Sequence, residues 1–473
     1  MSAPREQFGS KLGFILAAAG SAVGIGNMVG FPVAATKNGG GAFLLIYAVF
    51  VFFICLPVML AEMSIGRHTQ KDPLGAYNKI SGHQQPWKMA GWLSIITPFM
   101  IAVFYMVITV WLFGYLFHSA TGDLDMLAQP ETFGTFINSS DVFIYLAVVT
   151  ALVYLILLGG VQEGIEKAAK LLMPTLFFML IGMVIFVLTL DNAFSGVEYY
   201  LVPDFSKITA STVSAALSQA FFSLSLGMGI MITYGSYLNR SNGVPGAAKM
   251  VALTDTAVAF IAGLLILPAV FSFNPNTNTA DLSDSSVSMI FSFLPKIFLA
   301  LQSTIGYTGA SVVASLFFLL VFFAAITSLV SILEVPNAAL MDERNLERKT
   351  SLIVLGAAML VLSIVSITSF GMLDFFTGFV SYAGQTKSFF DVLVDVFYDT
   401  ILPFNGFLIC IFVIYRWKKQ NFNAELDHGE PSYKGSFFEK YVDFSVGTFI
   451  PLILLLIFIN TVALKFFGAG LIG

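Results

Sequence analysis

Charge is scarce in this chain. Only 11% of its 473 residues are Asp, Glu, Lys or Arg, against about 25% in a soluble domain, which excludes an ordinary water-soluble fold. Cysteine is nearly absent. Cys55 and Cys410 both fall inside apolar runs and read as small buried hydrophobes, with neither a disulfide frame nor a metal site indicated. The four histidines, His68, His83, His118 and His428, lie in loops or at the ends of apolar runs. No nucleophilic triad, phosphate loop or metal cluster accompanies them, so enzymatic chemistry is not expected. The net charge is only −5 and there is no basic run of the kind that binds nucleic acid.

What the chain has is apolar mass: 57% of it is hydrophobic, including 49 Phe. A membrane span needs about 20 mostly apolar residues. Eleven segments meet that criterion, near 11–36, 41–68, 89–119, 142–160, 166–190, 213–238, 246–273, 306–338, 351–371, 388–416 and 442–469. The expected class is an all-α polytopic membrane protein with eleven transmembrane helices, its surface facing a lipid bilayer. The first segment is too long for a signal peptide and lacks a small-residue cleavage site. With the N-terminus inside, eighteen Lys and Arg fall on cytoplasmic segments. Only Lys37, Lys207, Lys296, Lys387 and Lys465 fall outside. That positive-inside bias puts the N-terminus in the cytoplasm and the C-terminus outside.

Glycine is misplaced in two of these segments. Gly20 to Asn27 reads Gly-Ser-Ala-Val-Gly-Ile-Gly-Asn in the middle of the first, where each Gly costs about 1 kcal/mol against Ala. Opened backbone inside a bilayer is tolerated only where protein or a wet cavity satisfies its polar groups. Exposed carbonyls and amides aimed at a ligand are therefore expected. The sixth segment repeats the pattern at Ser223-Leu-Ser-Leu-Gly-Met-Gly229. Two interrupted spans in corresponding halves point to a transporter's binding site. Segments one to five and six to ten each begin with a break, and five is odd, so the halves have opposite topology: a 5+5 inverted repeat. The expected organisation is 1–10 cytoplasmic, 11–190 the first repeat, 213–416 the inverted second, and 442–469 a peripheral eleventh helix. No residue-level repeat is visible between the halves. The stretch 272–305 mixes polar and apolar residues and is expected to fold over the outer mouth as a lid.

The residues Arg5, Lys11 to Phe14, Gly20 to Asn27, Phe31-Pro32, Asn38 to Phe43, Pro57, Glu62 and Gly66-Arg67 resemble the neurotransmitter:sodium symporter family. So do Gln219 to Gly229, Thr233-Tyr234, Tyr237 and Thr327-Ser328, and the similarity runs from about residue 5 to 440. The resemblance implies a leucine-transporter-like fold with broken helices 1 and 6, and sodium-coupled uptake with no enzymatic step. Eleven helices match many bacterial members, which implies a bacterial inner membrane.

The resemblance also implies two sodium sites. The first falls on Ala22, Asn27, Ser223 and Thr254, with the substrate carboxylate as a further ligand; Asp255 follows Thr254 directly and is the alternative ligand. The second falls on Gly20, Val23, Ala324, Thr327 and Ser328. Carbonyl and hydroxyl oxygens suit a hard cation. A Thr-Ser pair in a membrane helix ordinarily bonds back to its own backbone; beside the first-segment motif it reads as a ligand pair. Chloride is left open. The family's acid position aligns with Val258, and Asp255 lies one turn before it. Asp255 reaching inward makes chloride unnecessary; otherwise Gln219, Tyr47 and Ser223 are the candidate chloride ligands.

Family members that carry amines have an Asp at the position of Gly24, so the slot here suits a carboxylate. The amides near Ala22, Gly24 and Gly26 suit an anion as helix N-termini do, and Tyr105 matches the family's carboxylate-binding tyrosine. Phe222, Ser223 and Ser225 offer the amino group carbonyls and hydroxyls. The side-chain pocket carried over is Ile101, Tyr105, Phe222, Ser225, Met228, Ser328 and Ile332. None is charged, and an unpaired charged substrate side chain buried there would cost several kcal/mol. A neutral, apolar or aromatic L-amino acid is expected, with Na+ as the co-transported ion; the residues carry no indication of oligomeric state.

At the inner gate the resemblance implies Arg5 with Asp342 as partner and Tyr237 nearby, and Phe8 stands where the family has Trp. At the outer gate Gly30 replaces the family's Arg, which leaves Asp395 without its usual partner. Closure then rests on Tyr105 and Phe222, on the lid, or on a substitute cation such as Lys37. Acids inside spans are functional candidates by default. Glu62 matches a structural position, while Asp255 or Glu334 keeps a proton-coupled amino-acid carrier in view. The missing Arg at 30 keeps a second alternative, a non-transporting substrate sensor of the same fold.

Overall fold

The computed structural model describes residues 5–273, 287 and 289–470. The first four residues of the expected N-terminal segment, and 274–286 and 288 of the expected lid, lie outside the described residues.

Among the described residues, nine helical segments are long and apolar enough to cross a membrane, from Gly41–Thr69 to Phe437–Phe467. Two further segments are broken. In the first, Lys11–Ala22 and Gly26–Lys37 meet at a bend of 54°. In the second, Ala210–Ser223 is separated from Ile230–Ser236 by an irregular stretch. Ser225, Gly227 and Gly229 all adopt left-handed φ there (54°, 74° and 69°), a conformation that stops a right-handed helix and that Gly adopts at no steric cost. Both breaks therefore fall where the glycines predict them.

Element ends fall close to the sequence expectations. The tenth segment ends at Lys418, close to the expected 416, where the backbone turns left-handed (φ 72°, ψ 138°), and a separate helix, Lys419–Asp427, follows. The eighth runs Gln302–Arg344, but Gly306 within it is non-helical (φ 73°, ψ 164°), so the straight portion starts close to the expected boundary. A short antiparallel hairpin, Val380–Tyr382 paired with Gln385–Lys387, precedes the tenth span. Within the expected lid, residues 289–298 are packed inward, while 302–305 are exposed. Phe291 is fully buried with its ring 4.8 Å from Tyr115 and 5.9 Å from Trp111.

The core sits around the first break. Gln85–Thr121, Val244–Phe273 and Gln302–Arg344 surround it, and Phe14, Tyr47, Tyr105 and Thr327 are buried there. Cys55 and Cys410 are fully buried.

Candidate functional site

Val23 leaves the helical region (φ −75°, ψ 90°), and the carbonyls of the preceding turn lose their helical partners. Three of them converge on one hydroxyl: Ser328 Oγ lies 3.4 Å from the Gly20 oxygen, 3.0 Å from Ser21 and 3.5 Å from Val23. One residue earlier, the Thr327 hydroxyl donates to the Phe323 and Ala324 carbonyls, each at 3.1 Å. Gly20, Val23, Ala324, Thr327 and Ser328 are thus brought together as a cluster of neutral oxygens, a donor set that suits a hard monovalent cation.

On the other side of the break a carboxylate takes the centre. Asp255, fully buried, accepts from Asn27 Nδ2 at 2.7 Å, from Ser223 Oγ at 2.9 Å and from the Tyr47 hydroxyl at 3.1 Å. Asn27 Oδ1 in turn accepts from the Gly24 amide at 3.2 Å, which fixes the side chain against the break. The expectation for Thr254 is corrected here: its hydroxyl returns to the Met250 carbonyl at 2.8 Å. Successive helical residues are turned about 100° apart, so only one of the neighbours 254 and 255 faces Asn27, and it is the aspartate. Of the residues named as alternative chloride ligands, Gln219 donates from Nε2 to the Gly26 carbonyl at 2.9 Å, and Tyr47 and Ser223 both donate to the inward-facing Asp255.

Between the two breaks lies a small cavity, closed down to a free volume of about 10 Å³. Its walls are Ser21, Ala22, Gly24, Gly26, Tyr105, Phe222, Ser225, Met228, Ser328 and Ile332, none of them charged. Gly24 is required by close approach: a Cβ there would lie 2.6 Å from both Ser328 Oγ and the Tyr105 hydroxyl oxygen. The Tyr105 oxygen accepts from the Ile25 amide at 3.1 Å, and Ser225 Oγ donates to the Ser21 carbonyl at 3.0 Å. Phe222 closes one side, its ring 4.4 Å from that of Tyr398 in an edge-on contact. Two expected pocket residues are not in these walls: Ile101 is buried one turn before Tyr105, and Ser223 faces Asp255. Ser21 and Tyr398 escape the sequence reading. Glu62 has a structural place, its Oε1 accepting from the Gly227 amide at 2.7 Å and so holding the second break.

At the end that carries Arg5, that side chain ion-pairs with Asp342, donates to Ser236 Oγ at 2.7 Å and stacks on Tyr237 at 4.7 Å. Phe8 packs edge-on against Tyr234 and Tyr237. The Tyr237 hydroxyl donates to Glu334 at 2.7 Å, and Arg348 binds both oxygens of Glu334 at 2.9 Å while reaching Glu6 at 3.0 Å. Glu334 is therefore a fully paired buried acid and is not open to water. Asp72 caps the helix Pro73–Ser81, and its amide donates to Asp342 at 3.0 Å. Burial first, then the Asp342 and Glu343 carboxylates, push the Asp72 carboxyl upward.

At the opposite end the structure replaces the missing arginine. Among the described residues, the cations at Asp395 are Lys465 at 2.8 Å and Lys387 at 3.5 Å, and Tyr382 donates to it at 2.8 Å. Lys465 also pairs with Asp399 at 2.7 Å. The expectation of an unpartnered Asp395 is corrected, and the cation comes from the last helix and from the hairpin. The eleventh helix, expected to be peripheral, thus supplies a half-buried ion-pair partner, Lys465.

Two broken helices facing each other across an uncharged cavity, inside a bundle of apolar spans, define a membrane transporter of the inverted-repeat type. The chain belongs to the sodium:neurotransmitter symporter family, matching it over residues 5–136 and 134–467. It is 33% identical to the uncharacterized sodium-dependent transporter YhdH of Bacillus subtilis, over 98% of each chain, and 32% identical to an uncharacterized sodium-dependent transporter of Haemophilus influenzae, over 96% of this chain and 98% of that one. A crystal structure of MhsT in complex with L-phenylalanine superposes with a TM-score of 0.83 at 38% identity, covering 96% of this chain and 99% of that one. The protein is a multi-pass, sodium-dependent transporter and not an enzyme.

Proposed function

We propose that this transporter moves a neutral, hydrophobic or aromatic L-amino acid into the cell together with sodium, by alternating access across a bacterial inner membrane, with its N-terminus in the cytoplasm and its C-terminus outside. The observation that carries the reading is the cavity itself: backbone groups, hydroxyls and apolar side chains surround it, and no charged side chain lines it. Such a space rejects a charged substrate side chain, which would lose its hydration without gaining a partner. MhsT, similar over nearly the whole chain, is described in complex with L-phenylalanine, which supports the same class here.

The substrate carboxylate meets Tyr105 and the amides at the first break, next to a sodium ion held by the Ala22 carbonyl, Asn27, Ser223 and Asp255. A second sodium sits among Gly20, Val23, Ala324, Thr327 and Ser328. Asp255 brings the negative charge that chloride would otherwise supply, so transport is chloride-independent. The Arg5–Asp342 pair closes the inner gate and the Lys465–Asp395 pair, with Phe222 and Tyr398, closes the outer one. The test is a thermal-stability scan of the purified protein with each of the twenty L-amino acids, with and without sodium. Sodium-dependent stabilisation by Phe, Trp, Tyr or Leu is expected; stabilisation by Lys or Glu instead refutes the substrate class.

A further inference from the structure

A second cavity, remote from both breaks, opens at the end of the bundle that the Lys and Arg bias assigns to the cytoplasm. Its volume is about 670 Å³, within the range of small-ligand sites. Its lining includes His68, Lys79, Arg240, Arg416, Lys418 and His428, with Glu425 as the one acid. That acid is already spent: one oxygen accepts from buried Arg67 at 2.6 Å and the other from His68 at 3.2 Å. Lys79, Arg240 and Arg416 reach only backbone carbonyls, those of Thr69 at 3.0 Å, His68 at 3.2 Å and Ser81 at 2.7 Å. Among the described residues no carboxylate lies within ion-pair distance of these three or of Lys418.

Four cations without a carboxylate partner, two of them guanidinium groups, around a cavity of this size suit an oxyanion. We propose that this cavity binds a phosphate group, carried either by an anionic phospholipid headgroup or by a free phosphate ester. Basic pockets between transmembrane helices on the cytoplasmic side are suited to such headgroups. The position gives binding a consequence. Arg240 lies four residues beyond the inner half of the second broken helix, and Arg416 and Lys418 lie on the tenth span. A phosphate bridging them ties the moving inner half-helix to its neighbour.

The test uses the purified full-length protein in dodecylmaltoside, titrated separately with phosphatidylglycerol, phosphatidylcholine and inorganic pyrophosphate, reading the melting temperature, with native mass spectrometry counting retained lipid. Phosphatidylglycerol or pyrophosphate raises the melting temperature and phosphatidylcholine does not. The variant Arg240→Gln/Lys418→Gln needs roughly tenfold more of the effective probe. A response to phosphatidylglycerol alone assigns the lipid headgroup; a response to pyrophosphate that phosphatidylglycerol competes away assigns free phosphate esters. Arg240 also holds the His68 carbonyl, so Lys418→Glu, which removes no side-chain bond among the described residues, is the second variant, and it abolishes the response with an unchanged size-exclusion profile. Equal responses in the wild type and both variants, or no response to either phosphate, overturn the proposal.

Discussion

Lys465 Nζ lies 2.8 Å from Asp395 Oδ1, joining the last helix to the tenth span across 70 residues of sequence. The same ammonium holds Asp399 at 2.7 Å, so one cation is shared by two acids one helical turn apart. Removing it leaves Asp395 with the Tyr382 hydroxyl and the more distant Lys387. Lys465→Gln is expected to weaken outer closure by about 1 kcal/mol, a partly exposed pair being worth no more than that, and to lower the apparent substrate affinity about fivefold. Lys465→Arg keeps most of the wild-type affinity. Transport assays of the two variants check this, and wild-type behaviour in Lys465→Gln would remove the pair from the gate.

Asp255 holds Asn27, Ser223 and Tyr47 at once. Wild-type uptake should be indifferent to replacing chloride by gluconate. Asp255→Asn removes the fixed negative charge, and the variant should be transport-deficient in gluconate and partly restored by chloride. A chloride requirement in the wild type contradicts the assignment of that charge to Asp255.

Thr327 donates to two carbonyls of its own helix, one of them from Ala324, which leaves the lone pairs of its oxygen for the proposed second sodium site. Thr327→Val deletes one oxygen from a small ligand set. The half-saturating sodium concentration is expected to rise roughly tenfold, about 1.4 kcal/mol, with the fold intact by size exclusion. An unchanged sodium dependence means the second site is elsewhere.

Gly24 has no room for even one carbon beside Ser328 and Tyr105. Gly24→Ala is expected to abolish amino-acid binding, because the added methyl fills the carboxylate slot and displaces the Tyr105 hydroxyl. Isothermal calorimetry measures this directly, and wild-type affinity in the variant would place the slot away from residue 24.

Both breaks were legible because glycine inside an apolar span contradicts local propensity, a conflict that marks functional sites. The neutral oxygens near Ser328 were reachable through the family resemblance. Between Thr254 and its named alternative Asp255 the sequence could not choose, for a geometric reason: a one-residue slip in register turns a helical side chain by about 100°, and both neighbours carry oxygen. The Lys465 contact could not be read from spacing, since the partners are distant in sequence, although a lysine inside a terminal apolar segment is itself a sign of a paired acid. The hairpin that brings Lys387 and Tyr382 to Asp395 has three-residue strands, too short for an alternating pattern to show.

Sodium coupling to amino-acid entry is the central claim, and uptake into proteoliposomes tests it most directly. With an imposed inward sodium gradient, labelled L-phenylalanine should accumulate above its equilibrium level, and monensin, which collapses the gradient, should abolish the accumulation. Accumulation driven by a proton gradient without sodium, or sodium-dependent binding with no uptake at all, would contradict it.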